Sequence, residues 1–511
     1  MKKISLILET VKHLKPIQIY YRGKYFIRKR VGQSNYPSSL DSRSRKLNFD
    51  FFLYNKKSFD SKTFTFLNRS KTFENIDWNF KEFGKLWTYN LNYFDFLNQE
   101  EISKNEGLKL IDDYLKKFDT VKDGLEPYPI SLRTINWIKF MTRFQIRDKK
   151  IDDTLLAQYY ILLDNLEYHL LGNHLLENGF SLLWGGIYLQ DDILLQKGKE
   201  IVYSQLEEQV LEDGGHFELS PMYHQIILFR LLDALNLVTN NSNDKALSDF
   251  LYRYAAKMLG WLKHMTLSNS DIPLLNDSAN EIAPKSNELF DYAKYLDIDT
   301  SLSNLSDSGY RVFKKKSYEA VIDIGQIGPD YIPGHAHADT FNFVLYKHGR
   351  PFIIDTGVST YEANETRKYE RSTKAHNTVE INGCDSSVVW DAFKVAQRAK
   401  IISVEESENS IEATHDGYFK RFGIYHTRKW IFHDNKIIIE DVLNRKGRAV
   451  SRLHFHPDVT KEQIIKAVRT DSIYNIVETY VAFEFNKKVP TLAIEIPFEQ
   501  KSIVEISIEN N

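Results

Sequence analysis

The chain has 511 residues, 67 Lys+Arg against 69 Asp+Glu, and a formal net charge of −2. That balance argues against a protein built mainly to hold nucleic acid, and 42% hydrophobic with 27% charged residues argues against wholesale disorder. The length exceeds what one compact core supports, so two or three domains are expected.

The first 31 residues hold nine Lys/Arg against a single acid, Glu9. The apolar run Ile4–Leu8 stops at Glu9, short of the roughly 7–15 residues of an export-signal core. No stretch approaches the roughly 20 apolar residues of a membrane span, so the expected compartment is the cytosol. With Ile17, Ile19, Tyr20, Tyr21, Tyr25, Phe26 and Ile27 interleaved, residues 1–31 read either as a solvated helix packed on the body or as an amphipathic arm for the acidic inner face of a membrane. From about 107 to 270 apolar residues recur at three and four, as in Leu155-Leu156-Tyr159-Tyr160-Leu163-Leu166. This spacing predicts consecutive amphipathic helices in a bundle, a solenoid or a closed ring of helix pairs. Asn276–Asn280 is loop chemistry, and one more helix is expected near Glu288–Leu296. From Gly309 the period becomes two, as in Tyr318–Ile324, Thr340–Tyr346 and Lys436–Val442, which predicts an antiparallel sandwich or stacked sheets. The division is a basic arm at 1–45, a helical domain at 46–305 and a sheet domain at 306–511.

Aromatic residues reach 13%, which suits large helix-packed cores or a cleft that stacks flat ligands. Cys384 is the one cysteine. It allows neither an internal disulfide nor a Cys-rich zinc site, leaving His and carboxylates for any metal.

Four clusters offer chemistry. In Gly172–Gly179, Asn173 suits an N-cap, with His174 and Glu177 on one helix face at i, i+3; plain capping is the other reading. In Asp213–His224, Ser220-Pro221 is a strong helix start that puts Tyr223 in the first turn, where the positive helix end favours a phenolate; core packing is the alternative. His335 and His337, two apart beside small residues, either bind metal, divide metal and acid/base work, or are simply solvated. Finally, Asp355 and His376 with His337 make a His, Asp, His set suited to zinc, although its spacing alone is weak. The sequence carries no GxSxG, Walker lysine, GxGxxG or HExxH motif.

These strings resemble the heparinase II/III-like polysaccharide lyases, a family that includes alginate and oligoalginate lyases. NHLLENG at 173–179, DGGHFELSPMYH at 213–224, GHAHAD at 334–339, DTG at 355–357 and RSTKAHNTV at 371–379 stand in the family's order, and the likeness covers roughly 85–498. The resemblance implies an incomplete (α/α) toroid followed by an antiparallel β-sandwich. It implies cleavage of a uronate-containing acidic polysaccharide by β-elimination, leaving a 4,5-unsaturated end. Asn173 and His174 match the neutraliser of the substrate carboxylate, Tyr223 the proton carrier and His335 its partner across the cleft. His337, Asp355 and His376 match ligands of a supporting Zn2+. Glu177 is expected to bind substrate or orient His174. Arg133 and Arg371 are expected to hold further carboxylates or to be structural, and Trp184 to stack on a sugar or fill the core. An exopolysaccharide or capsule substrate handled inside the cell fits the missing export signal. The rivals are a glycoside hydrolase using Asp213 with Glu218, and a non-catalytic glycan-binding protein of polysaccharide assembly.

Overall fold

The computed structural model describes residues 3–31, 36–49 and 51–509; Lys2 of the basic arm lies outside the described residues. No helix among them is long and apolar enough to cross a membrane. The chain opens with two helices, α1 (Lys3–Val11) and α2 (Pro16–Val31). A small antiparallel sheet of Phe59–Asp60, Thr63–Phe66 and Arg69–Thr72 follows, an addition to the helical reading of this half. Then come α3 (Lys85–Tyr93), α4 (Lys104–Lys117), α5 (Pro127–Arg143), α6 (Lys149–Asp164), α7 (Gly172–Leu189), α8 (Asp192–Gln209), α9 (Pro221–Asn241), α10 (Lys245–Met265) and α11 (Ser286–Tyr295).

Local chemistry sets the helix starts. Ser103 and Glu106 form a capping box on α4, and the carboxylates of Asp148, Asp191 and Asp244 accept from first-turn amides of α6, α8 and α10. Those amides would otherwise lack a partner. Neighbouring helices pack in succession, α7 against α5 and α8, and α9 against α10, as an incomplete (α/α) toroid. The α7–α8 contact is backbone to backbone: a Cβ on Gly186 would lie 2.5 Å from Leu195 N, and one on Gly198 2.7 Å from Leu183 N. Much of the aromatic content fills this half, with Trp78, Trp87, Trp137 and Trp184 buried in one continuous core.

The named strand pairs of the sheet half are all antiparallel. A six-stranded sheet holds Ile401–Ser407, Ser410–His415, His426–Phe432, Lys436–Leu443, Lys501–Ser507 and Val468–Thr470 in that order. A four-stranded sheet holds Asn475–Glu484, Lys487–Phe498, Ala449–His454 and Val379–Ile381; a second holds Tyr310–Lys314, Tyr318–Asp323, Phe343–Lys347 and Arg350–Ile353. His426–Phe432 alternates buried and half-buried positions as its period-two pattern predicts. Tyr318–Asp323 differs, being buried at every position, because both of its faces are covered. Tyr318, Ala320 and Ile322 face the sandwich core with Trp430 and Ile439, while Val321 packs with Val344 and Tyr346 against Trp261 and Met265 of α10. Full burial of such a Val or Met stabilises by roughly 1.5–3 kcal/mol. This sheet is therefore the seam that fixes the two halves in one arrangement.

Candidate active site

A cleft of about 1600 Å³ opens between the halves, lined by Asn173, His174, Glu218 and Tyr223 from the helices and by His335 and Tyr361 from the sheet half. On the helical side the chain enters α7 through Leu171 and Gly172, both at positive φ (62° and 59°). A Cβ on Gly172 would meet Glu218 Oε1 at 2.7 Å, so glycine permits both the turn and the close approach. The helix begins two residues earlier than a cap at Asn173 would give, and Asn173 sits inside the first turn. Its backbone amide and its Nδ2 donate to Glu218 at 3.2 and 2.8 Å. Burial opposes charge on Glu218, but His335, His216 and these hydrogen bonds outweigh it and hold the carboxyl below its ordinary value. His174 Nδ1 lies 3.0 Å from Glu167 Oε1, and its ring packs 4.6 Å from that of Tyr128. Burial alone would lower the imidazole; Glu167, then Glu218 and Glu177, raise it above its ordinary value, favouring a cation at the cleft wall.

Ser220 Oγ accepts from the Tyr223 amide at 3.3 Å, and Pro221 is the first residue of α9, the start expected from Ser-Pro. Tyr223 stacks on His335 with ring centroids 3.9 Å apart, and its hydroxyl lies 3.3 Å from that of Tyr361. Burial first, then Tyr361, Asp277 and Glu218, push the phenol well above its ordinary value. The expected phenolate is thus not favoured: the roughly half charge of a helix N-terminus is outweighed by desolvation and by neighbouring acids. Tyr223 keeps its proton.

Behind His335 lies the group on which the site turns. Asp277 is fully buried and accepts from His335 Nδ1 at 2.9 Å, His337 Nε2 at 2.8 Å, Arg367 Nη2 at 2.7 Å and Arg367 Nη1. Burial works against its charge, yet Arg367 and the two imidazoles hold it well below the usual carboxylate range. Against an anionic Asp277, His335 Nδ1 is the donor, which leaves Nε2 as the basic nitrogen. That nitrogen points toward the cleft acid, 4.0 Å from Glu218 Oε2.

Asp277, Arg367, Tyr361 and Arg230 are absent from the sequence-derived site. Asp277 belongs to a stretch that reads only as loop, and Arg367 lies four residues before Arg371 on the helix α12 (Glu365–Glu370) and its cap. No spacing rule ties residue 277 to residue 367, because a fold contact alone joins them. Glu177, expected at the substrate or His174, is buried and instead accepts from Arg230 Nε at 3.0 Å. Arg230 lines the cleft; burial opposes its charge, but Glu177, Asp95 and Asp233 more than offset this.

Arg133, Arg371 and Trp184 take the structural alternative. Arg133 is buried and donates to Gln158 and to the carbonyls of Asn92 and Gly124. Arg371 is buried and donates to the carbonyls of Ala336 and Ala392, bracing the His335–His337 loop from behind. Trp184 packs in the core 5.3 Å from Phe49. Asp213 is taken up by the amides of Gly215, Ser306 and Ser308, so it cannot face Glu218 across a glycosidic bond as the hydrolase reading requires.

The zinc set is buried behind this site. His376 Nδ1 lies 2.8 Å from Asp355 Oδ2, and the His337 and His376 rings are 5.2 Å apart. Burial first pushes His337 down to about 4, the neutral form a metal ligand needs. His337 Nδ1 and His376 Nε2 have no hydrogen-bond partner among the described residues. In donor chemistry, with two unpartnered imidazole nitrogens near a carboxylate, the set fits zinc. In spacing it is not closed: among the described residues no group of three or more His, Cys, Asp or Glu side chains is placed to hold an ion.

Residues 130–302 match "Heparinase II/III N-terminus" and residues 297–499 match "Heparinase II/III-like, C-terminal". A heparin-sulfate lyase of Bacteroides stercoris is 24% identical over 326 residues, 56% of this chain and 46% of that protein. One from Pedobacter heparinus is 25% identical over 260 residues, 44% of this chain and 39% of that protein. The chain therefore spans less than half the length of these curated relatives. Among solved structures, a heparan sulfate lyase HepC mutant from Pedobacter heparinus superposes with TM-score 0.60 at 16% identity, covering 91% of this chain and 86% of that one. A Streptomyces coelicolor A3 chondroitin AC lyase in complex with chondroitin sulphate gives TM-score 0.51 at 9% identity, covering 83% and 74%. At such identities these two show a shared fold, a toroid joined to a β-sandwich. With both family domains matched in order across residues 130–499, the chain belongs to the heparinase II/III-like family.

Proposed function

We propose that the chain is a polysaccharide lyase that cleaves a uronate-containing acidic glycan by β-elimination. The observation that carries this reading is the pairing of a protonated Tyr223 with a His335 whose basic Nε2 is set by anionic Asp277. In the proposed step His335 Nε2 takes the C5 proton, the C4–O bond breaks, and Tyr223 gives its proton to the departing oxygen. The developing negative charge on the uronate carboxylate is met by His174, with Arg230 and Asn173 alongside. Asn173 Nδ2 is engaged by Glu218, so its share would come through rearrangement when substrate enters. The names of the relatives, heparin-sulfate lyases, support the same reaction class and put glycosaminoglycans first among candidate substrates.

Incubation with a panel of uronate polymers, heparan sulfate, chondroitin, hyaluronan, alginate and a bacterial exopolysaccharide, is expected to yield product absorbing near the ultraviolet maximum of a conjugated 4,5-unsaturated uronate for at least one member. New reducing ends without that absorbance would replace the lyase by a hydrolase, and binding without turnover would replace it by a glycan-binding protein.

His337, Asp355 and His376 are the residues that would hold zinc. The ion would supply a fixed positive charge that anchors the loop carrying His335. Protein purified without chelator is expected to contain about one zinc per chain, and His337→Ala to lose it together with thermal stability. A metal-free wild-type chain of unchanged melting temperature after zinc addition would remove the metal from the proposal.

A further inference from the structure

The basic arm is neither a tail nor a simple surface helix. Both of its helices are seated on the body. In α2, the buried Gln18 donates to the Leu170 carbonyl at 3.0 Å, the Tyr25 hydroxyl donates to the Leu166 carbonyl, and Tyr21 stacks on Tyr168 with centroids 4.8 Å apart. In α1, Thr10 Oγ1 accepts from Trp390 Nε1 at 3.1 Å, and Glu9 pairs with Lys420 at 3.0 Å. The pair of helices thus bridges the toroid and the sheet half with one face.

Its other face is apolar and uncovered. On α1 the exposed residues are Ile4 (73%), Ile7, Leu8 (64%) and Val11, a helical stripe at i, i+3, i+4 and i+7. On α2 they are Ile17, Ile19, Tyr20, Phe26 (57%) and Ile27 (62%); the last four share a face with Gly23, itself open to space on its Cβ side. Nine of the 21 large apolar side chains exposed among the described residues fall between positions 4 and 27, so this is a patch and not scattered exposure.

Charge says what covers it. Lys12 and Lys15 have acidic partners, Glu9 and Glu208. Arg22, Lys24, Lys29 and Arg30 have no carboxylate within ion-pair distance among the described residues. Arg30 lies over the Phe26 ring at 4.2 Å, an apolar anchor with a cationic rim. Exposed aromatic and aliphatic side chains rimmed by unpaired cations complement an interface of acyl chains under anionic headgroups.

We propose that α1 and α2 dock the protein on an anionic phospholipid surface, with Ile4, Leu8, Tyr20 and Phe26 inserted and Lys24, Lys29 and Arg30 among the headgroups. Leu170 and Tyr331, which α2 and Lys15 contact, also line the cleft, so docking sets one rim of the cleft beside the membrane. The inference is independent of the reaction assigned to that cleft.

The test is co-sedimentation of the full chain with vesicles of phosphatidylcholine containing phosphatidylglycerol, against phosphatidylcholine alone. Binding is expected to be about tenfold or more stronger on the anionic vesicles and to weaken as salt rises. The Leu8→Glu/Phe26→Glu and Lys24→Glu/Arg30→Glu variants are expected to fall to the neutral-vesicle level with unchanged melting temperature and unchanged turnover of a soluble substrate. Should a variant misfold, the salt titration of the wild-type chain still decides. The proposal is overturned if the wild-type chain fails to sediment with anionic vesicles or if folded variants sediment equally well. It is also overturned if the wild-type chain is a dimer in solution that Leu8→Glu/Phe26→Glu converts to monomer, since a second copy then covers the face.

Discussion

Tyr223→Phe is expected to lower kcat/KM for glycan cleavage by roughly 100- to 10,000-fold, the range of a lost acid/base group, with little change in melting temperature. The expectation follows from the atom removed. The Tyr223 hydroxyl makes one 3.3 Å contact, to the Tyr361 hydroxyl, so its loss leaves no strongly bonded group unpaired, and the ring still stacks on His335. The loss is expected in kcat, because the proton is delivered in the transition state and contributes little to ground-state binding. His335→Ala removes the proposed base and is expected to match it in scale. The two effects should not add, since both residues serve one proton-transfer unit. Initial rates followed by ultraviolet absorbance check this. Tyr223→Phe turning over within about tenfold of wild type would sink the assignment of Tyr223 as acid.

Asp277→Asn is the second large effect, and it acts on stability and on rate together. The carboxylate is buried with Arg367, whose side chain is also fully buried, and it accepts from two imidazoles besides. Removing one partner of a buried ion pair strands the other, at a cost of about 3–5 kcal/mol, which thermal melting reads directly. The asparagine also ceases to demand a proton from His335 Nδ1, so the population of the Nε2-basic tautomer falls and kcat falls with it. Arg367→Ala is expected to destabilise similarly, and the double variant to cost much less than the sum of the singles, because a stranded charge exists only when one partner remains. A wild-type melting temperature in Asp277→Asn, or full additivity in the cycle, would show that this network neither holds the seam nor sets His335.

Particular residues show how much of this was legible in the chain. Ser220-Pro221 announced the start of α9 because capping is a local event within four residues, and it put Tyr223 in the first turn as read. The pair His335 and His337 was visible as a pair with a division of labour between them, but the carboxylate they share was not. Both rings turn to the same Asp277 through opposite oxygens, and that carboxylate lies about 60 residues upstream in a stretch with no periodic signal. Arg133 and Arg371 had the right chemistry for a polyanion, yet each is buried and donates to backbone carbonyls inside the fold. A sequence shows that a side chain can donate; it does not show which acceptors burial leaves for it.

The apolar periods at 3.6 and 2 and the capped helix starts determined by themselves the order of helices then sheets, because each rests on neighbours within a few residues. The tertiary structure alone decided that burial pushes the Tyr223 phenol up, that Asp277 and Arg367 meet behind His335, and that Tyr318–Asp323 is buried on both faces. Desolvation and charge pairing depend on what long-range packing brings within a few ångströms, and residues 223, 277, 335 and 367 meet only once the seam between the two halves has closed.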